Sequence, residues 1–128
     1  MKSIDGTKVD DSILALLEPG ECAVASARPN YSIAHPGKEW IRAALVLTDR
    51  RLLIAKDRLF GKPKVDFSLN WADVTRVDVV SFWRGSDKLM QLLVHNSRTR
   101  EPVELIVETE YVVAVESAIT AQYLKGAG

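Results

Sequence analysis

Residues 41–55 read IRAALVLTDRRLLIA, and this stretch decides the fold. Ile41, Ala43, Leu45 and Leu47 recur at every second position, which puts them on one face of a strand. Leu52, Leu53 and Ile54 follow as a buried run, so the stretch reads as two strands joined at Asp49-Arg50. A two-residue hairpin loop without glycine is unusual, because primed turns need positive φ; a slightly longer turn that takes in Thr48 is the alternative. A lone hairpin is marginal in water, so the remaining segments must cover this one.

Working outward, residues 11–17 form an expected short helix, with Asp10 as N-cap, Asp11 at its positive end and Pro19-Gly20 as its stop. Strands are expected at 21–27, 40–48, 51–56, 65–70, 74–83, 88–95 and 102–108. The loops between them fall at 28–38, 57–64, 84–87 and 96–101, with residues 71–73 as a corner. Residues 110–124 carry apolar positions at helical spacing, with Thr109 as cap and Gly126 as C-cap. Helix, about seven antiparallel strands, then an amphipathic helix is an α+β, mainly β order within one domain over residues 1–128.

Zero net charge conceals a segregation. Residues 1–27 carry −3, residues 28–64 carry +6 and residues 65–128 carry −3. The single Cys22 excludes an internal disulfide and sits in an apolar pattern, which suits a small buried residue in a reducing compartment. No apolar leader follows Met1-Lys2, and no run approaches the length of a membrane span. A soluble cytoplasmic domain is expected, with attachment to the inner face of the membrane as the variant.

No GxSxG, HExxH, P-loop or GxGxxG occurs. His35 and His95 have no partner at ligand spacing, and Asp73 reads as a corner residue. The expectation is a non-catalytic module without cofactor or metal.

Three short stretches resemble the pleckstrin-homology-like superfamily, in particular its short bacterial and GRAM-type members of the YokE-like group. They are Leu17-Glu18-Pro19-Gly20-Glu21, Leu47-Thr48-Asp49-Arg50-Arg51-Leu52-Leu53 and Trp71-Ala72-Asp73-Val74-Thr75-Arg76-Val77. The likeness covers about residues 12–125 by element order, and the hairpin is its most specific part. It implies a partly open barrel of two near-orthogonal sheets with one end closed by the C-terminal helix.

Two candidate surfaces follow. In an antiparallel meander the 28–38 and 57–64 loops leave at one end, which brings Arg28, His35 and Lys38 towards Lys56, Arg58, Lys62 and Lys64, with Phe60 at the tip of the second loop. An apolar tip among lysines suits an anionic membrane surface. The resemblance adds the 96–101 loop, with Arg98 and Arg100, to that end, where pleckstrin-homology domains bind phosphoinositide head groups; Lys38 and Arg42 match the usual basic signature in part. The plainer reading is a solvated loop with Phe60 folded back. Arg50 and Arg51 fall at the opposite end, Arg51 paired with a carboxylate. The second surface is Phe82, Trp83 and Arg84, a hydrophobic rim for a protein partner or a homo-oligomer; ordinary hairpin packing is the alternative. Nucleic acid ranks below both partners, because the basic stretch lacks interleaved stacking aromatics.

Overall fold

The computed structural model describes residues 11–27, 30–33, 41–56, 62–107 and 109–127. The elements are α1 (Asp11–Leu14), β1 (Ala23–Ala27), β2 (Asn30–Ile33), β3 (Ile41–Thr48), β4 (Arg51–Lys56) and β5 (Lys64–Asn70). A 3-10 turn (Trp71–Asp73) leads into β6 (Val74–Arg84), β7 (Asp87–Asn96), β8 (Val103–Val107) and α2 (Thr109–Ala127). Every pairing is antiparallel, along the path β5-β4-β3-β2-β8-β7-β6, with β1 beside β3 off that path.

The quoted hairpin is present, and its last register pair is Leu47 opposite Leu52, so the turn spans Thr48–Arg51, the longer of the two expected forms. Its apolar run is nearly unbroken because both faces are covered. Ala43, Leu45 and Leu47 point into the main core, which also holds Leu52, Ile54, Leu69, Leu92, Val94, Leu105 and the inner face of α2. Ala44, Val46, Leu53 and Ala55 face the other way, beneath Ile13, Leu16 and Leu17.

Among the described residues eight strands stand where about seven are expected, because β2 lies inside the expected 28–38 loop. β1 pairs with residues 45–48 of β3, and β2 pairs with Ile41 and Arg42 before continuing along β8. This is the corner at which the chain passes from one sheet to the other.

α1 is shorter than expected. After the Ala15 N–H to Asp11 carbonyl bond, Leu16 and Leu17 donate to Ile13 and Leu14 three residues back, so the helix tightens and ends before Pro19. Its expected cap, Asp10, lies outside the described residues. In α2, Val112, Val115 and Ile119 are buried with Tyr111, Ala118 and Tyr123 packed alongside, as the spacing predicts. Gly126 belongs to the helix rather than capping it. Cys22 is exposed, against the expectation of burial, because the chain is still leaving a turn there and β1 begins one residue later.

Candidate functional site

The three resembling stretches meet at one point. Glu18-Pro19-Gly20-Glu21 closes with the Glu21 N–H donating to the Glu18 carbonyl at 3.0 Å, and Gly20 takes φ 82°. Proline followed by glycine at positive φ is a type II turn. It delivers Glu21 beneath the β3–β4 hairpin, its side chain fully buried. Glu21 Oε2 accepts from Arg51 Nε at 2.9 Å and Thr48 Oγ1 at 2.6 Å; Oε1 accepts from Arg51 Nη2 and the Glu18 N–H, both at 3.0 Å. Arg51 also donates to the Leu16 carbonyl, two residues past α1.

The Thr48 hydroxyl accepts from the Arg50 and Arg51 N–H groups at 3.1 and 3.0 Å, which holds the turn without glycine. No described non-glycine residue takes positive φ, so the loop is not a primed turn. Asp49 exchanges two hydrogen bonds with the backbone of Cys22, and Trp71 Nε1 donates to the Thr48 carbonyl at 2.8 Å. Burial opposes ionisation of Glu21 most strongly, yet the bonds from Arg51, Thr48 and the Glu18 N–H, with the charge of Arg51, outweigh it and hold the carboxyl down from 4.5 to about 2. The motifs therefore form an internal lock at one edge of the barrel.

The candidate basic surface lies at the other edge. Lys56 and Lys64 are register partners, Lys62 stands two residues before Lys64, and all three are exposed. The 97–102 connection joins β7 to β8 beyond the Val94–Val103 pair, and its bonds tie it to the Asp73 corner and to Ser68 of β5. Arg98 is turned away from the lysines: its guanidinium donates to the Ser68 carbonyl at 3.0 Å. Asn96 folds this loop by accepting the Arg98 and Thr99 N–H groups, and Ser97 is tied to Asp73, which serves the corner as expected. Arg100 is exposed. Arg28, His35, Lys38, Arg58 and Phe60 lie outside the described residues, and Arg42 is placed only by its register with Asn30.

The other candidate surface is the β6–β7 hairpin. β6 ends the strand path, and among the described residues no strand pairs with its outer edge. Gly85-Ser86 is its turn, with Gly85 at φ 61°. A positive φ at the first central position alone is the type II′ pattern that suits strand twist. The pairing of β8 with β7 stops at Met90, so the hairpin runs on as a two-stranded ribbon through Phe82, Trp83 and Arg84, placed here by register. Val79 and Val80 are 40% and 41% exposed, and Ser81 is exposed. At the base, His95 Nε2 donates to Asp78 Oδ2 at 2.9 Å, and Arg76 pairs with the same oxygen at 3.1 Å. The sequence names Trp83 and the open sheet edges as candidate surfaces without saying which edge is open; the signal for β6 is its run of 11 strand residues, about twice the length of β8.

A shallow cavity of about 450 Å³ beside the lock is lined by Asp49, Arg50, Asn70, Trp71, Ala72, Gln122 and Lys125. Arg50 there is turned to Glu18 at 3.5 Å. Among the described residues no three His, Cys, Asp or Glu side chains group as a metal site, and no helix is long and apolar enough to cross a membrane.

A curled antiparallel path with a corner between β1 and β2 and a C-terminal helix over the core defines a pleckstrin-homology-like fold. Solved structures agree. A pleckstrin homology domain from Shewanella amazonensis SB2B matches with a TM-score of 0.62 at 18% identity, covering 94% of this chain and 99% of that one. A DUF1696-family protein with a pleckstrin-homology domain from Shewanella loihica PV-4 matches at 0.64 and 14% identity, covering 94% of both chains. The Vps36 N-terminal PH domain matches at 0.52 and 17% identity, covering 94% of this chain and 92% of that one. No protein-family model and no curated protein matches the sequence.

Proposed function

We propose that the chain is a non-catalytic binding module that mediates protein–protein contact through the outer edge of β6. The observation that carries this is the run Val79-Val80-Ser81, exposed on an edge strand with no partner strand among the described residues. Native edges are blunted by charge, proline, bulges or cover. β6 has a bulge near Val74 and charges at Arg76, Asp78 and Arg84, but the five residues between the last two are uncharged. A photoreactive phenylalanine analogue at Val80, irradiated in intact cells, tests the reading, with Val113 on the exposed face of α2 as control. Protein adducts of discrete mass from position 80 alone are expected; their absence overturns the reading.

A second reading is an anionic-surface module. Its observation is that Lys56 and Lys64 stand directly opposite one another, exposed, with no ion pair among the described residues. Opposed like charges cost a few tenths of a kcal/mol to about 1 kcal/mol, which an anion between them would relieve. Flotation with anionic vesicles that is lost in salt and in Lys62→Glu with Lys64→Glu supports it; no flotation at low salt removes it.

A further inference from the structure

We infer that the partner of the β6 edge is a second copy of this chain, paired antiparallel to the first about a two-fold axis at Ser81. The inference rests on the protein-contact reading above and names its occupant. The two-residue turn makes Arg84 and Asp87 the closing pair of the hairpin. In such a turn the closing residues exchange both backbone bonds, and the alternation from there turns the N–H and C=O groups of Val79, Ser81 and Trp83 outward. Antiparallel pairing of two such edges centred on Ser81 uses all three sets.

The order of residues along the strand agrees with the backbone. Centring on Ser81 sets Val79 opposite Trp83, Val80 opposite Phe82 and Asp78 opposite Arg84, each twice by symmetry. Both charged positions lie on the same face, since residues directly opposite share a face. Moving the centre to Val80 sets Arg76 opposite Arg84, and moving it to Phe82 sets Asp78 opposite Ser86; neither neutralises the strand. The Asp78 carboxylate is 40% exposed beside Arg76 and His95, so it remains open to a further cation. Apolar and β-branched residues fill the centre and opposite charges close both ends, a pattern complementary to itself.

Sedimentation velocity over a wide concentration series tests this on the full chain, with thermal unfolding of each variant as the check on folding. The wild type is expected to dimerise reversibly. Asp78→Lys or Arg84→Glu alone sets like charges opposite each other at two symmetric positions and is expected to weaken the dimer on the order of tenfold to a hundredfold. The variant with both changes restores opposite charges and the dimer. Ser81→Pro removes the two central outward N–H donors while leaving the bonds to β7, and is expected to give a folded monomer. A dimer indifferent to all these changes, or a double variant no better than the single ones, overturns the register. A strict monomer whose Val80 photo-adduct contains another protein overturns self-pairing and leaves the contact reading standing. A strict monomer without adducts removes both.

Discussion

Replacing Glu21 with Gln removes the charge on which the internal lock converges. Glu21 ionises at about 2 in the folded chain against an ordinary 4.5. Each pKa unit is 1.36 kcal/mol, so the shift corresponds to about 3 kcal/mol of stability at neutral pH. Breaking a buried pair by deleting one partner costs about 3–5 kcal/mol, and the lower end applies because the Arg51 side chain keeps 13% exposure. Against a total of roughly 5–15 kcal/mol this is a large loss. The pH dependence has a definite sign. The folded pKa is depressed, so the contribution is fully present above about 4.5, falls as the carboxyl takes up its proton, and is gone below about 2. Urea unfolding of the wild type and Glu21→Gln at closely spaced pH values between 2 and 7 measures both effects. The wild-type curve should be higher by about 3 kcal/mol at pH 7 and converge on the variant at the acid end. Adding Arg51→Met to Glu21→Gln should recover part of the loss, since an apolar replacement leaves no unpaired buried charge. Parallel pH profiles for wild type and Glu21→Gln would refute the reasoning, as would a loss at pH 7 below about 0.5 kcal/mol, the range of ordinary surface substitutions.

Gly20→Ala forces a side chain into φ 82° with its Cβ 3.1 Å from Arg50 Nη2; a loss of about 1–2 kcal/mol is expected from the denaturant midpoint, and no loss would mean the turn is not type II in solution. Trp71→Phe keeps the ring in the core but leaves the Thr48 carbonyl without its donor, for about 1–2 kcal/mol by thermal unfolding. Leu45→Ala, at a position with no exposure inside the main core, should cost about 2–5 kcal/mol, whereas Val113→Ser on the open face of α2 should stay within about 0.5 kcal/mol by the same urea series.

The alternation in residues 41–47 and the spacing in α2 were legible because each reports directly on which face meets the core. The resemblance was legible for a related reason: its residues are the interlocking parts of the turn, hairpin and corner. That Arg51 pairs with a carboxylate was also readable, but which one was not. Glu21 lies thirty residues earlier, and only the Pro19-Gly20 turn brings it under the hairpin. β2 escaped notice because its alternation, Tyr31 and Ile33 against Asn30 and Ser32, lasts only four residues and lies between the breakers Pro29 and Pro36-Gly37. The candidate surfaces were the least readable. Exposure of Val79 and Val80 depends on β6 being last in the strand path, a property of topology that no local pattern encodes. The turning of Arg98 to the Ser68 carbonyl likewise depends on where β5 lies when the barrel curls.

The position of β2 governs how the chain reaches this structure. β3, β4 and β5 pair with sequence neighbours, and so do β6, β7 and β8. Among the described residues β2 alone pairs the two meanders together, through four residues that meet β8 about 75 positions away. Closing so long a loop costs about 3 kcal/mol more than closing a hairpin turn, and the whole cost falls before the contact forms. Folding should therefore proceed from two locally formed meanders to a late closure at Asn30–Ile33. Shortening side chains in β2 should speed unfolding while leaving the folding rate almost untouched, and a marked slowing of folding in a stopped-flow chevron would place the closure early instead.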